Sequence, residues 1–260
     1  MNTRCEAAVE IARSGGALAL DYFRRLDTLT IEDKGPQDFV SDADKDVEKH
    51  VRKLITEAFP DDGIVGEEDA PKPSKTGFTW VIDPIDGTAN FIAGIPAWVV
   101  VIAVVENDTT VVGVTVDPIH DEIYVAERGQ GATKNGVPLI CDPDRTLQRG
   151  SISTGFSTRL AKAPTLALIE RVLAQGGVFH RNASGALSLA YVAAGRLNGY
   201  IEQHMNAWDC LAGQLLIEEA GGRVEVQSAT QMMARGGRVV AGSAGVFDDL
   251  VRIADEVFEG

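Results

Sequence analysis

Cysteine is scarce. Only three occur in 260 residues, at Cys5, Cys141 and Cys210, odd in number and without the close pairs of a zinc or redox motif. That excludes a disulfide framework and a thiolate metal site, and the expectation is reduced, packed thiols in a cytoplasmic protein. Positive charge is also short: 24 Lys and Arg face 38 Asp and Glu, a formal charge of −14. With no basic run, the chain lacks what neutralising a nucleic-acid backbone requires. The four histidines, His50, His120, His180 and His204, form no pair at metal-ligand spacing, so they read as surface or packing residues. No apolar run reaches the ~20 residues that span a membrane. The first segment carries Glu10, Arg13 and Asp21, which does not fit a signal-peptide core.

What is present is the composition of a soluble globular protein, 45% apolar and long enough to bury a large core. One stretch organises the rest: Thr79-Trp80-Val81-Ile82-Asp83-Pro84-Ile85-Asp86-Gly87-Thr88-Ala89-Asn90-Phe91. Its β-branched and aromatic start reads as a buried strand, and Pro84, with no N–H to donate, predicts a turn at Asp83. Past that turn Asp83 and Asp86 can converge with the Ile85 carbonyl between them, an oxygen-only set that suits Mg²⁺ rather than zinc or copper. Gly87 and Thr88 then open a helix start, where free N–H groups favour an anion. A dication beside an anion cradle points to a phosphate ester, and the acidic chain must supply its positive charge through bound metal. The plainer reading of Asp-Pro-x-Asp-Gly-Thr is a strand-to-helix turn with a capping Asp.

Along the chain, a helix is expected over 3–25, kinked at Gly15-Gly16, then a strand over 29–34 and a helix capped by Ser41 or Asp42 and ending near Phe59. A short strand leads to Gly66-Glu67-Glu68, and residues 70–77 read as a surface loop able to move over the site. Three β-rich segments, 99–105, 110–116 and 122–126, predict an antiparallel meander. Gly129 to Gly136 resembles a phosphate loop only superficially; without Lys-Ser/Thr, and ending in Asn135-Gly136, it reads as a hairpin turn. After residue 144 strands alternate with helices, so we expect an α+β half over 1–143 carrying most of the metal ligands. An α/β half over 144–260 would carry Asp209 and the substrate wall.

Gly66-Glu67-Glu68, the Asp83-to-Phe91 stretch and Trp208-Asp209-Cys210-Leu211-Ala212-Gly213 together resemble the inositol monophosphatase family of Mg²⁺-dependent, lithium-sensitive phosphatases, over nearly the whole chain. The resemblance implies a layered αβαβα sandwich, two or three Mg²⁺ ions, a homodimer, and hydrolysis of a small polyol phosphate, myo-inositol 1-phosphate foremost, by metal-activated water. By the same resemblance Glu67, Asp83 and the Ile85 carbonyl hold one metal, and Asp83, Asp86 and Asp209 hold another. Glu67 and Thr88 orient the water, and Gly87 and Thr88 hold the phosphate. Lys34, Asp44 and Glu68 would support the site from behind, although Lys34 and Asp44 also read as a surface lysine and a helix-start carboxylate. Ser184, Gly185, Ala186 and Glu202 would form the substrate wall, Glu202 accepting hydrogen bonds from ring hydroxyls. The family usually has Gly followed by Ser or Thr where this chain has Ser184-Gly185, which leaves the substrate open. Relatives act on fructose 1,6-bisphosphate, histidinol phosphate or adenosine 3′,5′-bisphosphate, and some bacterial relatives partner the transcription machinery, so a mainly regulatory protein-binding role is the alternative.

Overall fold

The computed structural model describes residues 3–35, 38–156 and 160–258, with the side chains of 28, 33–35 and 38–40 outside that description. In chain order, α1 (Thr3–Phe23), a 3-10 turn (Leu26–Thr28), β1 (Ile31–Gly35), β2 (Asp38–Ser41) and α2 (Asp42–Ala58) lead into β3 (Gly63–Gly66), β4 (Phe78–Asp86) and the short α3 (Thr88–Ile92). The meander follows as β5 (Val99–Glu106), β6 (Thr109–Asp117), β7 (Glu122–Glu127), β8 (Gly131–Lys134) and β9 (Val137–Pro138). Next come β10 (Ser151–Thr154), α4 (Lys162–Ala174), β11 (Val178–His180), α5 (Gly185–Ala193), β12 (Gly199–Met205) and α6 (Ala207–Glu219). The chain closes with β13 (Arg223–Val224), α7 (Ala229–Arg235), β14 (Gly237–Gly242) and α8 (Ala244–Phe258).

Strands β3 to β9 form one sheet in sequence order, parallel at β3–β4 and antiparallel from there on. A second sheet runs β11-β10-β12-β14-β13, and β1 pairs with β2. The two-residue period of the strands then builds the layers. Trp80, Ile82, Val100, Ile102, Val104, Val112 and Val114 pack on one side with Ala8, Ile11 and Ala12 of α1 and Val47 and Val51 of α2. Their neighbours Val81, Val99, Val101, Ala103 and Val105 pack on the other with Leu187 and Leu189 of α5 and Leu215 and Leu216 of α6. The same helices reach Tyr200 and Val239 of the second sheet, whose far face, Ile152, Ile201 and Val240, meets Leu168 of α4 and Leu250 of α8. Helix pair, sheet, helix pair, sheet, helix pair is the αβαβα order that the family resemblance implied. Among the described residues no helix is long and apolar enough to cross a membrane.

Three local expectations change. Strand β4 does not turn at Asp83; it runs on through Pro84 to Asp86, with a register shift against β5 between Asp83 and Asp86. That irregularity removes the ladder bond Pro84 cannot make, so the proline is accommodated inside the strand. Helix α1 is continuous across Gly15-Gly16. A Cβ on Gly15 would sit 3.0 Å from Val51 Cγ2 and one on Gly16 3.0 Å from Val116 Cγ1, so these glycines serve close packing rather than a kink. The loop after Glu68 is tied down: Ile64 and Lys72 exchange backbone hydrogen bonds at 2.9 and 2.8 Å, and Lys75 N–H donates to the Asp61 carbonyl at 2.9 Å. Helix α7 was not anticipated. The Asn135-Gly136 hairpin is present, both residues at positive φ, as is the Ser41 cap of α2, a capping box closed by Asp44.

Candidate active site

The bulge that accommodates Pro84 also sets the carboxylates. Asp83 Oδ1 accepts the Ile85 N–H at 2.9 Å, which folds the backbone so that Asp83 and Asp86 reach the same place. Asp209 comes from the first turn of α6, where its Oδ2 accepts the Asn206 N–H at 3.1 Å in a capping box. One oxygen from each of Asp83, Asp86 and Asp209 lies within 4.8 Å of the others. Asp83 is 1% exposed and Asp86 9%.

Three carboxylates so close cannot all ionise cheaply. Burial, then the charges of Glu67, Asp86 and Asp209, push Asp83 well above the ordinary carboxylate range. Burial also raises Asp86, although the Ser184 hydroxyl and the Ala186 N–H, at 2.8 Å, donate to its Oδ2. Asp209 is pushed up to about 7, by burial first and the Asp86 charge next. An oxygen-only cluster with this mutual repulsion fits a hard dication, which lowers the cost that the protein alone leaves unmet.

Above the cluster opens a cleft of about 760 Å³ lined by Glu67, Asp86, Gly87, Thr88, Glu202 and Asp209, among others. Glu67 directly follows β3 and lines the cleft. Gly87 stands at φ 100° as the N-cap of α3, and a Cβ there would be 2.9 Å from the Ala97 carbonyl oxygen; only glycine satisfies both conditions. Thr88 Oγ1 lies 3.1 Å from Oδ1 of Asp44 and 3.1 Å from the Ile85 carbonyl oxygen. Its one proton is thus shared between two acceptors, and its lone pairs face elsewhere. Asp44 is buried, its other oxygen accepting from the Ser41 N–H at 2.8 Å and hydroxyl at 2.6 Å. It is therefore not an exposed helix-start carboxylate.

The expected substrate wall divides in two. Ser184 caps α5, its Oγ accepting the Leu187 N–H at 3.3 Å while its hydroxyl donates to Asp86. Gly185 is packed so closely that a Cβ would meet Met205 Cε at 2.6 Å. Glu202, on β12, accepts the Tyr200 hydroxyl and lies against Gly155, where a Cβ would be 1.9 Å from its Oε2. Burial pushes Glu202 up to about 7. Lys34 belongs to β1, but its side chain is outside the described ones. Glu68 contributes its backbone, N–H donating to Glu48 at 2.9 Å.

Sequence reading passed over several residues that hold this arrangement together. Asn90 Nδ2 donates at 2.6 Å to the carbonyls of both Ala97 and Asn182, joining α3 to the segment before α5. Tyr200 orients Glu202, and Glu48 with Arg52 grips the turn after Glu67. The available signal was positional: Glu48 stands four residues after Asp44, hence on the same face of α2.

The inositol monophosphatase family model matches residues 1–257. Nus factor SuhB of Haemophilus influenzae is 36% identical over 254 residues, covering 96% of this chain and 95% of that protein. Nus factor SuhB of Escherichia coli K12 is 36% identical over 246 residues, 94% and 92% of the two chains. Among solved structures, the extragenic suppressor protein SuhB of Bartonella henselae superposes with a TM-score of 0.91 at 32% identity, covering 97% of this chain and 98% of that one. An IMPase of Thermotoga maritima gives 0.87 at 30% identity over 99% of each chain. With a family model matched over nearly its full length and relatives above 30% identity end to end, this chain belongs to the inositol monophosphatase family.

Proposed function

We propose that the protein is a Mg²⁺-dependent phosphomonoesterase acting on a small polyol phosphate, myo-inositol 1-phosphate foremost. The observation that carries this reading is the convergence of Asp83, Asp86 and Asp209 within 4.8 Å at a cleft that Glu202 also lines. In this reading Glu67, Asp83 and the Ile85 carbonyl would hold one ion, and Asp83, Asp86 and Asp209 another. When bound, Mg²⁺ supplies positive charge that neutralises the carboxylates, makes water more acidic and balances charge on the phosphate and the departing oxygen.

The chain's own groups do the positioning. Thr88, its proton committed to Asp44 or the Ile85 carbonyl, accepts a hydrogen bond from the attacking water, and Glu67 accepts the other. The N–H groups of Gly87 and Thr88 hold phosphate oxygens, and Glu202 accepts from hydroxyls of the polyol. The test is phosphate release from myo-inositol 1-phosphate, fructose 1,6-bisphosphate, histidinol phosphate and adenosine 3′,5′-bisphosphate, with Mg²⁺ and then EDTA. Preference for the inositol ester, abolished by EDTA, is the expected result; another preferred ester keeps the reaction and reassigns the substrate, and no release from any ester defeats the reading.

A second reading has its own observation. Relatives that match this chain over more than nine-tenths of its length are named Nus factors, so a regulatory role with the transcription machinery joins or replaces catalysis. Reconstituted transcription with and without the protein tests it: an effect that survives D83N separates this role from phosphatase activity. We further propose a homodimer in a cytoplasmic setting; the molar mass in solution measured by light scattering tests the assembly.

A further inference from the structure

Outside the carboxylate cluster lies a largely buried ion pair, Glu48 with Arg52, that the proposed reaction does not use. Glu48, on α2, is 0% exposed. Its Oε2 accepts the Glu68 N–H at 2.9 Å, and its Oε1 accepts the Asp69 N–H at 3.0 Å and Arg52 Nε at 2.7 Å. Arg52 completes the grip: its two terminal nitrogens donate to the Asp69 carbonyl at 2.8 Å and the Ala70 carbonyl at 3.1 Å. On the near side the carboxylate presses on Gly66, where a Cβ would stand 2.4 Å from Oε1. The backbone after Glu67 is therefore held by two side chains of one helix, through its N–H and its C=O groups alike, while Gly66 before it packs against the same carboxylate.

Stability alone gives little reason for this pair. Desolvating a carboxylate and a guanidinium costs several kcal/mol per ion, and well-packed apolar side chains of similar volume often serve as well or better. What apolar side chains cannot do is accept two N–H groups and donate to two carbonyls at defined positions. One turn earlier on the same helix face, Asp44 holds Thr88. Helix α2 thus carries one support for each of two segments that line the cleft.

We propose that Glu48, braced by Arg52, is a positioning residue that sets where the Glu67 carboxylate stands relative to Asp83, and so sets the affinity of the site for its dication. This rests on the metal-dependent reading above. Residues that orient ligands from behind typically change metal affinity or activity by about 10- to 100-fold. E48Q should therefore weaken Mn²⁺ binding, followed by the electron paramagnetic resonance signal of the free ion, by that factor. The Mg²⁺ concentration for half-maximal phosphate release should rise in parallel, with turnover largely recovered at saturating Mg²⁺. Because the effect is routed through Glu67, the double variant E48Q/E67Q should bind Mn²⁺ no more weakly than E67Q alone, a non-additivity that general loosening of the fold does not produce.

If E48Q does not fold, R52K carries the test: it keeps the Glu48 carboxylate but loses the planar fork on the carbonyls of 69 and 70, and a smaller shift in the same direction is expected. Wild-type Mn²⁺ affinity in a folded E48Q or R52K overturns the proposal, as does additivity in the double variant. A wild-type protein that binds no Mn²⁺ and releases no phosphate overturns the metal-phosphatase reading itself, and the positioning role with it.

Discussion

The Ser184 hydroxyl donates to a carboxylate oxygen of Asp86, joining the end of β4 to the start of α5 across 98 positions of sequence. The same serine caps α5 through the Leu187 N–H, and the neighbouring Ala186 N–H donates to the same Asp86 oxygen at 2.8 Å. The polar groups that open α5 therefore serve a carboxylate of the cluster as well as their own helix. S184A should lower thermal stability by about 0.5–2 kcal/mol, the usual range for a lost helix cap. It should also raise the Mg²⁺ requirement, whereas S184T retains both contacts. Melting curves and Mg²⁺ titrations of the two variants check this.

Replacing Asp83 separates stability from chemistry. D83N removes a carboxyl whose ionisation burial opposes first and the charges of Glu67, Asp86 and Asp209 oppose next, so in EDTA the variant should melt above wild type. Activity at saturating Mg²⁺ should fall by more than the roughly 100-fold typical of residues that only support a ligand. A variant that is both active and less stable would contradict the arrangement of charges described here.

The pH dependence follows from the same cluster. Asp209 is held at about 7 against an ordinary value of 3.8, and Glu202 at about 7 against 4.5. Between those limits the folded protein keeps protons that the unfolded chain has released, so stability falls as pH rises. In EDTA, the stabilising contribution should be complete below about pH 4 and lost progressively toward pH 7. With Mg²⁺ present the ion competes with the protons, and stability should instead improve with pH over that window. Denaturant melts at a series of pH values, with and without Mg²⁺, test the reversal of sign.

Mg²⁺ should stabilise the fold in proportion to its binding. At a concentration 100 times the dissociation constant the gain is about 2.7 kcal/mol, read as a rise in melting temperature that EDTA reverses. Millimolar LiCl should inhibit phosphate release, as membership of the family leads one to expect; undiminished activity at high LiCl would refute this.

Glu202 is the residue on which substrate choice should turn. E202Q keeps the shape and the Tyr200 contact but loses the charge, so KM for myo-inositol 1-phosphate should rise while an ester without ring hydroxyls, such as p-nitrophenyl phosphate, is affected less. G155A should act similarly from the other side, because its new Cβ would displace the carboxylate from a position 1.9 Å away.

Much of this was legible residue by residue. The helical spacing and Ser41 cap of α2, the Asn135-Gly136 hairpin and the β-branched runs of β5 and β6 all depend on neighbours in sequence, where propensity and turn chemistry operate. The bulge at Pro84 was not legible, because a proline inside a strand is admissible only when its partner strand shifts register, and the partner lies beyond residue 98. Nor was the packing of Gly15 on Val51 and Gly16 on Val116, since a glycine pair reads identically as a weak helix centre or as a close approach.

By itself the sequence determined the chemistry available: few thiols, an acidic balance with no basic run, and a run of carboxylates and glycines whose residue types suit a hard cation and an anion. The tertiary structure decided which of those groups meet. Asp83 and Asp209 are brought together from different sheets' surroundings, Asp44 is buried against Thr88 rather than left at a helix surface, and Ser184 turns to Asp86. The reason is that side-chain type travels with the residue, whereas distance and burial belong to the packed layers: the sandwich sets one helix pair between two sheets, and only that stacking places α5, α6 and β12 over the end of β4.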